Sequence, residues 1–292
     1  MGTKVDGVIE RVGVVGCGLM GAGIAEVAAR AGLDVIVREV DAAACEAGER
    51  RIANSLARAV ASGKLDADTE KAALERMRFT ADMADLADRQ IVVEAVVEDE
   101  AAKAAVFAAL DDVVEADDAV LATNTSSIPV MKLAMATRRP ESVVGVHFFN
   151  PVPVLRLVEI VPSLLTSDAT VERAERLAVD VLGKRVIRSK DRAGFIVNAL
   201  LIPFLLSAVR MLESGFASAA DIDAGMIEGC AHPMGPLALT DLIGLDTTMA
   251  VAESLYEEFK EPLYAPPPLL SRMVDAGLLG RKTGRGFYDY HR

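Results

Sequence analysis

Histidine is scarce in this 292-residue chain, and His147 is the one whose neighbours point to chemistry; His232 lies in a turn-like run before Pro233, and His291 is next to the last residue. His147 sits in Val143-Val144-Gly145-Val146-His147-Phe148-Phe149, a run so apolar that an imidazole within it requires a hydrogen-bond partner. Taken alone it also reads as a satisfied core histidine. The next apolar run changes that reading. Leu155-Arg156-Leu157-Val158-Glu159-Ile160-Val161 carries a carboxylate at its centre, where a charge is costly unless paired. Glu159 and His147 are natural mates. A carboxylate on one ring nitrogen fixes the tautomer and stabilises the imidazolium, leaving the other nitrogen as a general base.

A second constellation is Gly16-Cys17-Gly18-Leu19-Met20-Gly21, a GxGxxG that follows the run Val12–Val15 and opens a helical pattern through Ile24, Val27 and Ala28. Strand, glycine loop and helix in that order form a dinucleotide-binding fingerprint. Gly16 permits the tight turn, Gly18 lets backbone approach a pyrophosphate, Gly21 allows close helix–strand packing, and the helix start offers free N–H groups. Glu39 ends the next β-like run, 18 residues after Gly21, where a carboxylate accepts hydrogen bonds from ribose hydroxyls. A dinucleotide loop beside a buried His–carboxylate pair suggests proton removal from an alcohol coupled to hydride transfer to nicotinamide. Thr123-Asn124-Thr125-Ser126-Ser127 follows another β-like run and reads either as ligand contacts at a strand end or as the cap of a short helix. Asn198, in an apolar helical stretch, is a buried-amide candidate or a helix-packing contact.

The elements that must position these groups alternate. Strands are expected over Arg11–Val15, Asp34–Arg38, Ile91–Glu94, Ala119–Ala122, Val143–Phe149, Leu155–Val161 and Val186–Arg188. Helical patterns separate them at Met20–Ala31, Ala42–Ser62, Glu100–Ala116 and about Ala169–Leu182. Such alternation predicts an α/β fold with a doubly wound, Rossmann-like parallel sheet. Beyond residue 194 the chain is helical, broken by Gly215, the 232–236 turn and Pro266–Pro268, so an all-α domain is expected over 190–292 after a sheet domain over 1–189.

Composition narrows the partners. With 43 Asp+Glu against 31 Lys+Arg the net charge is −12, which opposes nucleic-acid and anionic-membrane binding. Cys17, Cys45 and Cys230 are far apart without a CxxC, so spacing gives neither a disulfide framework nor a metal site, and a reduced cytoplasm is the simplest setting. No targeting signal is read at the N-terminus, where Asp6 stands at the Ser/Thr position of a myristoylation pattern. Phe195–Leu212 approaches the length of a membrane span but carries Asn198, Pro203 and Arg210, so a buried helix at a subunit interface is expected.

Together GCGLMGAGIA (16–25), VEAVVEDEAAK (93–103), NTSSI (124–128), GVHFFNPVPVLRLVEIV (145–161), AGFIVNALLIP (193–203), HPMGPLALTDLIGLDT (232–247) and GRKTGRGFYDY (280–290) resemble the L-3-hydroxyacyl-CoA dehydrogenase family, in particular its free-standing 3-hydroxybutyryl-CoA members. The resemblance covers nearly the whole chain. It implies a sheet ending in two non-parallel strands, a helical domain that dimerises and closes over the cofactor, and reversible oxidation of an (S)-3-hydroxyacyl-CoA. It further implies that His147 is the catalytic base, Glu159 its partner, and Ser126 and Asn198 hydrogen-bonding groups around the reacting oxygen and thioester. Leu19 and Met20 join the glycine loop, while Glu98, Lys103, Asn150 and Lys282 match positions contacting the dinucleotide. Ser55 matches a CoA-binding position. A CoA-contacting lysine of some relatives falls at Ser62, with Lys64 two residues on.

NAD is the cofactor implied; NADP stays open because Arg38 precedes Glu39 where many relatives have Asp. Two other functions stay open: a dehydrogenase of free β-hydroxy acids, against which the His147/Glu159 pair argues, and a non-catalytic crystallin-like relative.

Overall fold

The computed structural model describes residues 8–291, so the N-terminal segment read for targeting signals lies outside the described residues. The chain divides into two compact units, Met1–Asp191 and Arg192–Arg292.

The first unit is built on eight strands, β1 (Arg11–Val15), β2 (Asp34–Arg38), β3 (Met77–Thr80), β4 (Ile91–Glu94), β5 (Val120–Thr123), β6 (Val143–Phe148), β7 (Leu157–Pro162) and β8 (Arg185–Arg188). They form one sheet in the order β3-β2-β1-β4-β5-β6-β7-β8. The first six are parallel; β7 runs antiparallel to β6, and β8 is parallel to β7. The doubly wound order therefore ends in two reversed strands, as the family resemblance implies. Central strands such as β4 (IVVE) and β6 (VVGVHF) are buried along their whole length, which explains why they read as continuous apolar runs and not as alternating ones.

Helices α1 (Leu19–Arg30), α2 (Ala42–Ala61), α3 (Ala67–Glu75), α4 (Glu100–Val113), α5 (Val130–Ala134) and α6 (Asp168–Arg176) connect the strands. Short acidic and hydroxyl residues start four of them: Asp41, Asp66, Asp99 and Ser167 each accept from a first-turn amide. α1 differs, because its cap is Gly18 and no side chain caps its first turn.

The second unit contains α7 (Val197–Glu213), α8 (Ala219–Cys230), α9 (Pro236–Ile243), α10 (Leu245–Phe259) and α11 (Pro268–Asp275), with, among the described residues, only isolated bridges among Gly280, Arg285 and Asp289. Two buried carboxylates organise it. Asp223 accepts from the Leu237 and Ala238 amides at the start of α9, and Asp241 accepts from the Phe287 and Tyr288 amides of the C-terminal segment.

Several expected boundaries move. The strand expected from Leu155 begins at Leu157, because residues 151–155 turn on themselves, with the Val154 and Leu155 amides both donating to the Pro151 carbonyl. The helix expected through Leu182 is α-helical only to Arg176 and continues as a π-helical turn over Leu177–Val181. The long apolar helix begins at Val197 and not Phe195, since Gly194 and Phe195 adopt positive φ. β3 and α3 were not expected from the sequence, whereas α5 follows the 123–127 run where a short helix was one of two readings.

Candidate active site

Register explains the central pair. In the antiparallel pairing of β6 with β7, His147 stands directly opposite Glu159. Side chains of directly opposed residues share one face of a sheet, so the geometry of the ladder delivers the carboxylate to the ring. His147 Nδ1 and Glu159 Oε2 are 2.7 Å apart, with the residues 6% and 0% exposed. The Phe149 ring lies against the imidazole at 4.6 Å between centroids. His232 packs edge-on against Phe204 instead.

The polar run after β5 meets the same strand end. Asn124 Oδ1 accepts from the Phe148 amide at 2.9 Å, tying it to the residue after His147. Thr125 Oγ1 accepts from the Ile128 amide and closes a turn there, but it does not cap the helix that follows: α5 begins behind Pro129, and its first amides, of Val130 and Met131, donate to Asp191. Ser126 and Ser127 donate their amides to Glu98 Oε1, and Thr125 donates its hydroxyl to the same oxygen.

Beneath them lies a buried ion network. Lys103, 1% exposed, donates to Glu94 Oε1 at 2.7 Å and stands 3.2 Å from Glu98 Oε2. Glu94, wholly buried, also accepts from Thr123 Oγ1 and the Val96 amide. Burial alone raises the Glu98 carboxyl, yet Lys103, the Thr125 hydroxyl and the Ser126 amide together hold it below its usual range. Lys103 is thus enclosed between Glu94 and Glu98 and is not an exposed cation. The sequence reading did not single out Glu94 as a member of this network; a carboxylate ending an otherwise apolar strand was the available signal.

The glycine loop fits a dinucleotide. A Cβ on Gly21 would stand 1.8 Å from the Gly16 carbonyl, so only glycine lets α1 start this close to β1. Gly18 and Leu19 are exposed and the first-turn amides lack a side-chain cap, the donor set that takes an anionic phosphate. Cys17, between Gly16 and Gly18, is gripped at both ends of its backbone: its amide donates to Glu39 Oε1, and its carbonyl accepts from Arg51 Nη1 at 2.5 Å. Its thiol, buried and beside Glu39, is pushed up to about 12 and is not a nucleophile. Glu39 therefore stands at the end of β2, beside the loop, as its ribose-contacting reading requires.

Leu19, Ser55 and Asn150 share a groove of about 320 Å³ with Arg51 and Arg58. Asn198 and Lys282 belong to the second unit. Asn198 is partly exposed on the first turn of α7, near exposed Ile196 and Leu200, so of its two readings the fully buried amide is not met. Lys282 pairs with Asp246 at 2.5 Å. Among the described residues no cluster of three or more His, Cys, Asp or Glu could hold a metal ion.

Residues 11–192 match the family model described as 3-hydroxyacyl-CoA dehydrogenase, NAD binding domain, and residues 194–290 match that of its C-terminal domain. The chain belongs to the 3-hydroxyacyl-CoA dehydrogenase family. It is 59% identical over 282 residues to a 3-hydroxybutyryl-CoA dehydrogenase of Mycobacterium tuberculosis, covering 97% of this chain and 99% of that one. A mitochondrial hydroxyacyl-coenzyme A dehydrogenase of Sus scrofa is 40% identical over 97% of this chain and 91% of its own length. Among solved structures, (S)-3-hydroxybutyryl-CoA dehydrogenase PaaH1 of Ralstonia eutropha superposes with a TM-score of 0.92 at 44% identity, covering 98% of this chain and all of that one. In this 3-hydroxyacyl-CoA dehydrogenase the glycine loop and Glu39 fall within the NAD-binding domain, as do both members of the His147–Glu159 pair.

Proposed function

We propose that the chain catalyses reversible NAD-dependent oxidation of an (S)-3-hydroxyacyl-CoA, with 3-hydroxybutyryl-CoA as substrate and acetoacetyl-CoA as product. The carrying observation is the buried His147–Glu159 pair near the carboxyl end of β6, the sheet edge at which the parallel β1 delivers the glycine loop. His147 removes the hydroxyl proton as the C3–O bond becomes a carbonyl. The glycine loop and Glu39 would hold NAD, which when bound would supply the acceptor for the C3 hydrogen and its electron pair. Glu159, held on Nδ1, stabilises the imidazolium so formed, and His147 then releases its proton to solvent. Ser126 and Asn198 hold the reacting oxygen and the thioester. Ser55 contacts CoA, and Glu98, Asn150 and Lys282 contact the dinucleotide. Family membership favours this reading over a free-acid dehydrogenase or a crystallin-like protein.

The reading includes a homodimer through the helical unit and a cytoplasmic setting. Large apolar side chains stand exposed on that unit: Leu200 at 72%, Phe216 at 79% and Leu242 at 50%. Exposed apolar surface on this scale supports a subunit interface. No helix among the described residues is long and apolar enough to cross a membrane, and the three cysteines are free. The testing experiment is NADH oxidation by the purified enzyme with acetoacetyl-CoA, longer 3-ketoacyl-CoAs and free acetoacetate. Turnover of the free acid in preference to the thioester would overturn the assignment.

A further inference from the structure

A buried lysine outside the site described above holds the segment that presents Asn150. Lys184 is 9% exposed and lies between the π-helical turn and β8. Its ammonium donates to the Val152 carbonyl at 2.5 Å and to the Leu155 carbonyl at 2.8 Å. Among the described residues it has no carboxylate partner. Burial, and then the nearby Arg30 guanidinium, hold its pKa below the usual lysine range. Arg30 is itself paired with Glu26 one turn earlier on α1. A buried ammonium satisfied only by carbonyls is a costly way to fill space, and its geometry here does something a hydrophobic side chain could not.

The two carbonyls belong to the turn at 151–155, which links the His147 strand to the Glu159 strand. The other side of that turn is fixed against α1: a Cβ on Gly23 would meet Val152 Cβ at 2.8 Å, so the loop can approach only because residue 23 is glycine. Lys184 grips the backbone and Gly23 admits the side chain. Exposed Asn150 stands at the head of this turn, in the groove it shares with Leu19 and Ser55.

We propose that Lys184 is a positioning residue for the reaction, clamping the Val152 and Leu155 carbonyls so that the 150–155 turn presents Asn150 to the dinucleotide. This rests on the reading of Asn150 as a cofactor contact. A displaced contact residue weakens ligand binding more than it slows a proton transfer carried out by other groups. The signature is therefore a rise in KM for NAD that exceeds the fall in kcat.

The test compares K184M, N150A and the double variant of the full-length enzyme in kcat, KM for NAD and Tm. Each single variant should raise KM for NAD about tenfold, the scale of one lost hydrogen bond to a charged or ligand group. The double variant should be no worse than the poorer single one, because both remove the same interaction. A K184M enzyme with lowered Tm and wild-type KM, or one whose effect adds in full to that of N150A, overturns the clamp. An unchanged KM in N150A overturns the Asn150 reading and the proposal with it, whereas a raised KM in N150A beside an unchanged one in K184M overturns Lys184 alone. If K184M does not fold, G23A displaces the same turn from its other side with Lys184 intact. It should raise KM for NAD likewise, and an unchanged value there counts against the proposal.

Discussion

His147 and Glu159 are twelve residues apart in the chain and directly opposite each other in the sheet, at the one junction where strand direction reverses. That reversal places a carboxylate at 2.7 Å from Nδ1 without any loop to position it. Removing the ring should therefore abolish proton transfer while leaving the glycine loop intact. His147→Ala should lower kcat by ~10²–10⁴ with NADH affinity within about twofold of wild type. Glu159→Gln should also lower kcat, because an amide cannot neutralise the imidazolium, and should alter the pH–rate profile. Steady-state kinetics with a fluorescence titration of NADH checks both; near wild-type turnover in His147→Ala would remove the residue from the mechanism.

Lys103 predicts a stability effect of definite sign. Its ammonium and the Glu94 carboxylate are both buried, so Lys103→Met leaves a buried charge without its cation and should cost about 3–5 kcal/mol in urea unfolding. The same cation helps hold the Glu98 carboxyl below its usual range. A group whose folded pKa is depressed contributes stability present above its unfolded value, about 4.3, and lost as pH falls through the folded value. Wild-type stability should thus decline as pH falls below the unfolded value, and Lys103→Met, in which Glu98 lacks that cation, should lose less stability over the same acid range. Identical unfolding curves for the two proteins would show that Glu94 is satisfied without the lysine.

These elements differ in how plainly the sequence announces them. The His147–Glu159 pair was legible because each residue breaks an apolar run, and a buried charge in a strand demands a partner. β3 was not legible. Met77-Arg78-Phe79-Thr80 is an edge strand with no fully buried residue, so it has backbone pairing but almost no hydrophobic pattern. α3 buries only Ala73 and shows equally little periodicity. Lys184 and Arg51 act on carbonyls about 30 residues away, and a contact to backbone leaves no complementary residue type for the eye to find. Asn198 stayed open between a buried amide and a packing contact because an apolar neighbourhood in sequence does not say whether those neighbours face the unit's own core.

The exposed apolar residues of the helical unit carry their own expectation. Leu200 lies on α7 and Phe216 just beyond its end, both largely open to solvent in the single chain. A second copy covering them removes that surface from water. Light scattering at micromolar concentration should give twice the 30.9 kDa chain mass. Leu200→Glu together with Phe216→Glu should shift the population toward monomer. A fully active wild-type monomer would sink this expectation.

Coenzyme choice turns on the end of β2. Glu39 spans two backbone amides, with Oε1 accepting from Cys17 and Oε2 from Val40, so its charge is fixed beside the glycine loop. A 2′-phosphate brought there meets a like charge, whereas ribose hydroxyls meet an acceptor. Arg38 is the opposing consideration, since a guanidinium can hold a phosphate in two bonds. It lies within the strand, in register with Val15 and Thr80, and its Nε is buried with no hydrogen-bond partner among the described residues. Adjacent residues on a strand project to opposite faces, so the guanidinium and the Glu39 carboxylate leave the backbone in different directions. The enzyme should therefore prefer NADH to NADPH in kcat/KM at a fixed acetoacetyl-CoA concentration. Glu39→Ala should lose about tenfold in efficiency with NADH, the scale of one charged hydrogen bond, while gaining with NADPH. A wild-type preference for NADPH would mean that Arg38 outweighs Glu39, and Arg38→Ala would then be the variant that restores NADH.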